Sequence, residues 1–185
     1  MKRGLDVTAI VRGENKSLAE HTIIKDLFDL KKSDLDSFDT VVDAFGTWNP
    51  ESLTQHSTSL KKLCDLLSGT NKRLIVVGGA GSLYVNPEHT LQLMDTPDFP
   101  DMFKPLASNM GKALEELRSR DDVRWTYISP AGDFRADGEK CGKYILGGEE
   151  LTLNSNGESI ISYADYAAAL VDEIINGNHL SLIHI

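Results

Sequence analysis

One stretch of the chain, Arg73-Leu-Ile-Val-Val-Gly-Gly-Ala-Gly-Ser-Leu83, constrains the possible folds more than any other. Its apolar, β-branched run from Leu74 to Val77 is typical of a strand that is buried on both faces of a parallel sheet. The glycines that follow let the backbone approach a ligand closely. Because ligands of open α/β sheets bind beyond the carboxyl ends of the strands, we predict a central strand that ends in a ligand crevice. A glycine-rich bend that binds nothing is the alternative.

These glycines match neither of two common phosphate-binding motifs. Gly79-Ala-Gly81 starts like a dinucleotide-binding fingerprint, but that motif needs a helix directly after it. Here Tyr84-Val-Asn-Pro87 follows, and a proline behind β-favouring residues disfavours a helix. The Lys-Ser/Thr pair of a P-loop is also absent from the stretch. We therefore reject a phosphate-binding loop at this position.

The composition is that of an ordinary globular protein and disfavours several function classes. A length of 185 residues with 41% hydrophobic and 25% charged residues suits one domain. The net charge of −9 disfavours a nucleic-acid partner, and no apolar run approaches the roughly 20 residues of a membrane span. Two cysteines and no visible signal peptide favour a reducing cytoplasm. The five histidines share no metal-ligand spacing, so we expect no metal site.

Short β-rich runs alternate with longer helical patterns along the chain. Strands are predicted at residues 5–12, 22–25, 40–45, 74–77, 124–129, 143–146 and 159–161. Helices are predicted at residues 33–38, 50–68, 104–117 and 162–176, and loops at residues 86–103 and 131–140. This alternation predicts a parallel α/β sheet.

The longer helices each carry an apolar stripe that we expect to face the core. The stripes comprise Leu53, Leu60, Leu63, Cys64 and Leu67; Leu106, Met110, Ala113, Leu114 and Leu117; and Ala167, Leu170, Val171 and Ile174. Ser162-Tyr-Ala-Asp165 resembles a capping box, so we expect Asp165 to stabilise a helix N-terminus.

Arg12 lies at the carboxyl end of the first predicted strand. In nucleotide-binding sheets an arginine at such a position suits the 2′-phosphate of NADP, which a guanidinium can grip through two hydrogen bonds. A solvated surface arginine is the alternative.

Both ends of the chain are unusual. Lys2-Arg3-Gly4 resembles the last turn of a helix, so the chain is expected to begin after a first strand, glycine loop and helix. The final residues Leu180-Ser-Leu-Ile-His-Ile185 resemble one reading frame of the transposon-end adapter used in short-read sequencing. We thus expect one N-terminally truncated domain over residues 1–178 and a non-native tail over residues 180–185. A genuine C-terminal strand is the alternative for the tail.

Several strings together resemble a known protein group. They are Val7-Thr-Ala-Ile-Val-Arg12, Asp26-Leu27, Asp43-Ala-Phe-Gly46, Val76-Val-Gly-Gly-Ala-Gly-Ser-Leu83, Trp125-Thr-Tyr-Ile-Ser-Pro130 and Ile161-Ser-Tyr-Ala-Asp-Tyr-Ala167. They resemble the atypical short-chain dehydrogenase/reductase group, in particular its NADH-flavin reductase and NmrA-like members, with the biliverdin reductase B type as a relative. The resemblance covers roughly residues 2–178.

The resemblance implies a Rossmann-like parallel sheet with helices on both faces, and binding of NADP, with NAD as the alternative. The residues that it places beside the cofactor are Arg12, Asp26, Leu27, Ala44, Phe45, Gly46, Gly78, Gly79, Ser82, Ser129, Pro130 and Ala131. Residues 86–103 and 132–140 would shape the substrate side. Ser82 is the one catalytic candidate, as a hydrogen-bond donor; a hydroxyl that only caps a glycine turn is the alternative.

The sequence departs from this group in one respect and from general short-chain reductases in another. The Gly-x-x-Gly-x-x-Gly loop that grips the pyrophosphate is absent, and so is the Tyr-x-x-x-Lys pair that donates a proton. The missing pair weakens alcohol or ketone chemistry, whereas a flavin-like acceptor can take its proton from solvent.

Three functional hypotheses follow. The first is an NAD(P)H-dependent reductase that transfers hydride to a flavin, a quinone or another conjugated small molecule. The second is an NmrA-like sensor that binds NADP without turnover. The third is a non-functional gene fragment, because loss of a central strand would expose backbone edges. The sequence determines neither the acceptor nor the oligomeric state.

Overall fold

The computed structural model describes residues 3–185, with Leu182 described by its backbone alone. The chain divides into two compact units, Met1–Ser37 and Phe38–Ile185. The terminal helix turn expected at Lys2 lies partly outside the described residues, but Gly4 has a φ of +76°, which suits a residue that follows a helix. The prediction of one domain over residues 1–178 stays a prediction.

The first unit contains a pair of parallel strands. Strand β1 (Thr8–Val11) lies beside β2 (His21–Ile24), with Val11 opposite Ile24. A single 3₁₀ turn (Leu27–Asp29) and the short helix α1 (Lys32–Leu35) follow. Both predicted strands and the predicted helical turn are confirmed, although β1 is shorter than expected and β2 begins one residue earlier.

The second unit is built on a four-stranded sheet in the order β3-β4-β5-β8, in which every neighbouring pair is parallel. Its strands are β3 (Thr40–Asp43), β4 (Arg73–Val77), β5 (Arg124–Ser129) and β8 (Ser181–His184). Two further strands, β6 (Asp133–Arg135) and β7 (Ile160–Ser162), form a separate parallel pair. The glycine-rich stretch thus does follow an internal strand, as predicted.

The helices of this unit begin and end where local signals place them. Helix α2 (Gln55–Leu67) follows a turn that Asn49 caps by accepting a hydrogen bond from Glu51 N at 3.1 Å. Helix α3 (Lys104–Arg118) has a proline in its first turn. Helix α4 (Tyr163–Asn176) is capped by Ser162 and ends at Gly177, whose φ of +62° is a left-handed stop.

Helices cover both faces of the four-stranded sheet. Tyr127 of β5 lines a cavity with side chains of α2 and α3, whereas its neighbour Ile128 packs in a core cluster with Tyr166 and Ala169 of α4. Successive residues of a strand point to opposite faces, so α2 and α3 lie on one face and α4 on the other. The Rossmann-like parallel α/β fold predicted from the sequence is confirmed.

Two local predictions are wrong, and a third is right in part. Residues 143–146 form no strand; Tyr144, Ile145 and Leu146 are exposed and pair with no neighbouring strand in the described chain. The loop predicted at residues 131–140 contains β6. The stripe predicted for α4 is right in part. Leu170 and Ile174 pack against the core cluster, whereas Ala167 is exposed, and the fully buried residues of the helix are Asp165, Tyr166, Ala169 and Glu173. The α2 stripe from Leu53 to Leu67, with Cys64 in it, is buried as predicted.

The last residues form strand β8, which pairs with β5 and is followed by the buried Ile185. His184 is buried, and its Nδ1 lies 3.1 Å from Ser129 O. This conformation matches the alternative of a C-terminal strand, while the non-native origin of these residues stays a prediction. None of the described helices has the length and apolar composition that crossing a membrane requires.

Candidate functional site

The carboxyl ends of β3, β4 and β5 lie side by side. Asp43 pairs with Val76, and Val77 pairs with Ile128, so the residues after each strand emerge at one edge of the sheet. Gly78 N donates to Ile128 O at 2.9 Å, which keeps the first residue after β4 against β5. The structure therefore brings together three predicted groups: residues 44–46, residues 78–82 and residues 129–131.

The turn after β3 is held from below by a buried carboxylate. Asp43 is 6% exposed, and its Oδ1 accepts a hydrogen bond from Phe45 N at 3.0 Å. Burial raises the pKa of Asp43 to about 6, against the lowering effect of that hydrogen bond. Above this turn Ala44 and Gly46 are exposed, and a Cβ placed on Gly46 would meet nothing within 4 Å. The turn is therefore open to solvent on its outer side, and the hydrogen bond to Asp43 fixes its backbone on the inner side.

The turn after β4 is tightly packed from within. A Cβ at Gly78 would lie 2.1 Å from the ring of Tyr127, and one at Gly81 would lie 2.8 Å from the Cβ of Ala107. Gly79 N donates to Tyr127 Oη at 3.2 Å. Close packing inside the protein therefore requires glycine at positions 78 and 81, whether or not a ligand binds there. Ser82 ends the turn and is 8% exposed.

A small cavity lies beneath these two turns. Its volume is about 20 Å³, which is room for one water molecule. Asp43, His56 and Tyr127 contribute its polar atoms, together with Ser59. Burial raises the pKa of Tyr127 to about 12, so its phenol is neutral at ordinary pH. The Tyr127 hydroxyl supports the Gly79 backbone and is poorly suited to proton donation.

The end of β5 carries an unsatisfied hydroxyl. Ser129 is completely buried, and its Oγ has no hydrogen-bond partner in the part of the chain that the structure describes. A buried polar atom without a partner is uncommon in a folded protein and calls for an explanation, such as a ligand. The next two residues, Pro130 and Ala131, are also buried.

A cleft of about 640 Å³ begins at Ala131. This volume is within the range of small-molecule sites. One wall is formed by residues 138–145 and the other by residues near β7 and the start of α4. Its lining includes Arg135, Cys141, Lys143, Tyr144, Ile145, Ile160, Ile161, Asp165, His184 and Ile185. The predicted substrate role of residues 132–140 corresponds to part of this cleft.

The remaining predicted residues belong to the first unit. Arg12 directly follows β1, and Asp26 and Leu27 follow β2. Because Lys25 N donates to Val11 O at 2.9 Å, these residues share one edge of the two-stranded sheet. Asp26 caps the following turn by accepting a hydrogen bond from Phe28 N at 2.9 Å, and Arg12 is exposed.

Sequence reasoning missed three side chains that organise the site. Asp43 stands directly before the predicted Ala44, and its position after an apolar strand was a usable signal for a buried turn residue. Tyr127 offered no signal, because a tyrosine inside a strand is ordinary. Asp165 was assigned to helix capping alone, although its carboxylate also binds a distant loop.

Comparison with known proteins places the chain in a family. No family model matches the sequence. The protein YwnB of Bacillus subtilis (strain 168), whose name assigns no activity, is 43% identical over 181 residues, which are 96% of this chain and 84% of YwnB. The crystal structure of SP1627 from Streptococcus pneumoniae TIGR4, named as a candidate NADH-flavin reductase, is 54% identical with a TM-score of 0.97. It matches 99% of this chain and 88% of its own.

The chain belongs to the family of NAD(P)-binding, reductase- and epimerase-like Rossmann proteins. The resemblance stated from the sequence is thus confirmed. Outside close relatives, MoeE5, solved in complex with UDP-glucose and NAD, has the same fold with a TM-score of 0.62 and 16% identity over 98% of this chain and 67% of its own.

In the second unit, the residues present suit a nicotinamide nucleotide. The open space at Gly46 and the unpartnered Ser129 hydroxyl are both features that a bound nicotinamide nucleotide would use. The residues that would hold it in the second unit are Ala44, Phe45, Gly46, Gly79, Ser82 and Ser129. The individual assignments stay predictions.

Proposed function

We propose that this chain is an NAD(P)H-dependent reductase that transfers hydride to a conjugated ring acceptor, such as a flavin or a quinone. The family supports oxidoreductase chemistry, and the name of SP1627 suggests a flavin as the acceptor. The observation that carries the proposal is the arrangement at one edge of the sheet. An open turn follows β3, and a cleft of about 640 Å³ begins directly after β5.

The two features supply the two binding sites that a hydride transfer needs. The nicotinamide nucleotide would lie along the turns after β3 and β4, and the acceptor would occupy the cleft that starts at Ala131. When bound, the reduced nicotinamide supplies the hydride. NADP is the expected form because of Arg12, and NAD is the alternative.

The protein residues in this proposal position the cofactor and the acceptor. The Ser82 hydroxyl is offered as a hydrogen-bond donor to cofactor or acceptor, and the Ser129 hydroxyl as a second donor. Tyr127 is not offered as an acid, because its phenol is buried and its pKa is raised to about 12. A ring acceptor that gains hydride takes its proton from water through the open side of the cleft.

Cofactor titration tests the first half of the proposal. NADPH and NADH are titrated while nucleotide fluorescence is followed, and binding of NADPH is expected to be tighter. Gly46→Val fills the open space beside the β3 turn and is expected to raise the Kd of NADPH at least about tenfold. Gly148→Val is the matched control, because a Cβ there also meets nothing within 4 Å. Equal effects of both substitutions would contradict the placement of the cofactor.

Turnover tests the second half. Steady NADPH consumption is measured with riboflavin, FMN and menadione as acceptors. Consumption with any of them supports the reductase. Binding without turnover would instead favour the NADP-sensing alternative, whose support is the absence of the Tyr-x-x-x-Lys pair. Absence of binding for both nucleotides would overturn the proposal.

A further inference from the structure

A buried carboxylate holds the backbone of the loop that forms one wall of the cleft. Asp165 is only 3% exposed. Its Oδ2 accepts a hydrogen bond from Cys141 N at 2.8 Å, and its Oδ1 accepts one from Gly142 N, also at 2.8 Å. The Ser162 hydroxyl donates to the same carboxylate at 2.9 Å. Both carboxylate oxygens are therefore committed within the protein.

This contact fixes a segment that has no regular secondary structure of its own. Residues 141–146 are exposed and belong to no helix or strand. Gly142 has a φ of +72°, a conformation that side-chain-bearing residues rarely adopt. Such loops are ordinarily mobile, unless backbone groups are hydrogen-bonded to a rigid element. Asp165, in the first turn of α4, supplies that element.

A second carboxylate of the same helix contacts the same loop. Asp172 lies seven positions after Asp165, which is two helical turns along the same face. Its Oδ2 accepts a hydrogen bond from Tyr144 Oη at 3.0 Å at an exposed position. Helix α4 thus fastens the wall twice, once through buried backbone bonds and once through an exposed side-chain bond.

The buried carboxylate is charged under ordinary conditions. Burial alone would raise the pKa of Asp165, but the bonds from Cys141 N, Gly142 N and the Ser162 hydroxyl together hold it below its ordinary value. Hydrogen bonds to a charged group are stronger than those between neutral groups. Replacing the carboxylate by an amide removes the charge and leaves one oxygen where two are needed.

We infer that Asp165 is a positioning residue for the acceptor, which it serves by fixing the backbone of Cys141 and Gly142 as a wall of the cleft. Capping of α4 alone, the role expected from the sequence, does not require the two bonds to that loop. The inference rests on the proposed function for the acceptor, whereas the fastening of the loop is independent of it.

Hydrogen exchange tests the fastening. Amide exchange is followed by mass spectrometry in peptides that cover residues 138–146, with residues 86–93 as an internal reference. Asp165→Asn is expected to raise exchange in the first peptide at least about tenfold, since two bonds to a charged group are weakened. Asp172→Asn is the matched control on the same helix face and is expected to change it less than about threefold. Unchanged exchange in Asp165→Asn would overturn the inference.

Kinetics test the positioning role. With NADPH and the acceptor that the wild type turns over, Asp165→Asn is expected to raise the KM of the acceptor about tenfold, with kcat and the Kd of NADPH within about twofold. Ser162→Ala, which removes one of the bonds to the carboxylate, should fall between Asp165→Asn and the wild type. An unchanged acceptor KM despite faster exchange would overturn the positioning role. Faster exchange in a protein that turns over no acceptor would uphold the fastening and overturn both the positioning role and the proposed function.

Discussion

Buried polar groups have more protein partners at the amino end of the four-stranded sheet than at its carboxyl end. At the amino end of β4, the Arg73 guanidinium is ion-paired with Glu173 of α4 and also donates to Thr126 Oγ1 at 2.7 Å. The other Glu173 oxygen lies 2.7 Å from His179 Nδ1. At the carboxyl end, the buried Asp43 has one backbone hydrogen bond and no ion pair with a described residue. Ser129 Oγ has no hydrogen-bond partner among the described residues.

This difference distinguishes a structural cluster at the amino end from the candidate site at the carboxyl end. Burying a charge is costly unless it is paired and hydrogen-bonded, and the Arg73 cluster meets that condition except at Arg73 Nε. Asp43 does not meet it, and its raised pKa records the cost. The amino end therefore joins α4 to the sheet, whereas the carboxyl end buries Asp43 and Ser129 with fewer protein partners.

The largest expected effect is at the amino end. Glu173→Ala leaves the Arg73 guanidinium buried without its carboxylate, so we expect a loss of about 3–5 kcal/mol in the free energy of unfolding. Urea denaturation at pH 7 measures this loss. Glu116→Gln, at an exposed position of α3, serves as the control and should stay within about 0.5 kcal/mol of the wild type. A loss below about 1 kcal/mol for Glu173→Ala would remove the distinction between the two ends.

At the carboxyl end, removal of a buried carboxylate is expected to raise the free energy of unfolding at high pH and not to lower it. Because the folded-state pKa of Asp43 is raised to about 6 from 3.8, the folded protein binds its proton more tightly than the unfolded chain does. The contribution of Asp43 to stability therefore falls as the pH rises from about 4 to about 6, by up to about 3 kcal/mol in total. Asp43→Asn removes this titration. The free energy of unfolding of the variant, relative to that of the wild type, should therefore be higher above pH 6 than at pH 4.

Denaturation of wild type and Asp43→Asn at pH 4 and pH 8 tests this prediction, since the other titrating groups are common to both proteins. The difference between the two proteins should shift towards the variant at pH 8. A difference that is independent of pH would show that Asp43 is not buried as a lone carboxylate.

Packing beneath the β4 turn gives the next effect in size. Gly78→Ala would place a Cβ 2.1 Å from the Tyr127 ring, so we expect a loss of about 1–3 kcal/mol in unfolding free energy. Gly46→Ala, in open space at the neighbouring turn, is the matched control and should leave the thermal midpoint within about 1 °C of the wild type. Similar losses for both glycines would mean that the β3 turn is as closely packed as the β4 turn.

The sequence predicted the elements whose signals are local. Strand β4 follows a continuous apolar run, and β5 follows a run of aromatic and β-branched residues. Helix α2 carries its stripe at helical spacing, and the turns after β3, β4 and β5 follow from parallel strand ends. Strand β6 was missed because Phe134 is the one apolar residue in the three-residue strand Asp133–Arg135. The opposite error occurred at residues 143–146, where apolar side chains line a cleft and do not enter a sheet.

The rest of the site depends on contacts between residues that are distant in sequence. The bonds of Asp165 reach residues 23 and 24 positions away, and the ion pair of Arg73 reaches 100 positions along the chain. Spacing and periodicity carry no information about such pairs. The burial of Asp43 is likewise a property of the packed fold, because the same residue in a strand-end turn is often solvated.

The smallest expected effect concerns Tyr127, and it tests whether this residue supports the glycine turn or takes part in the reaction. Tyr127→Phe removes the oxygen that accepts a hydrogen bond from Gly79 N at 3.2 Å. Because the phenol is neutral and this bond is long, we expect a loss of about 0.5–1.5 kcal/mol in unfolding free energy. The pH dependence of NADPH consumption should be unchanged between pH 6 and 9, since the pKa of Tyr127 is raised to about 12. If an acidic or basic limb of that profile disappeared in Tyr127→Phe, the phenol would belong to the reacting groups and not to the support of the glycine turn.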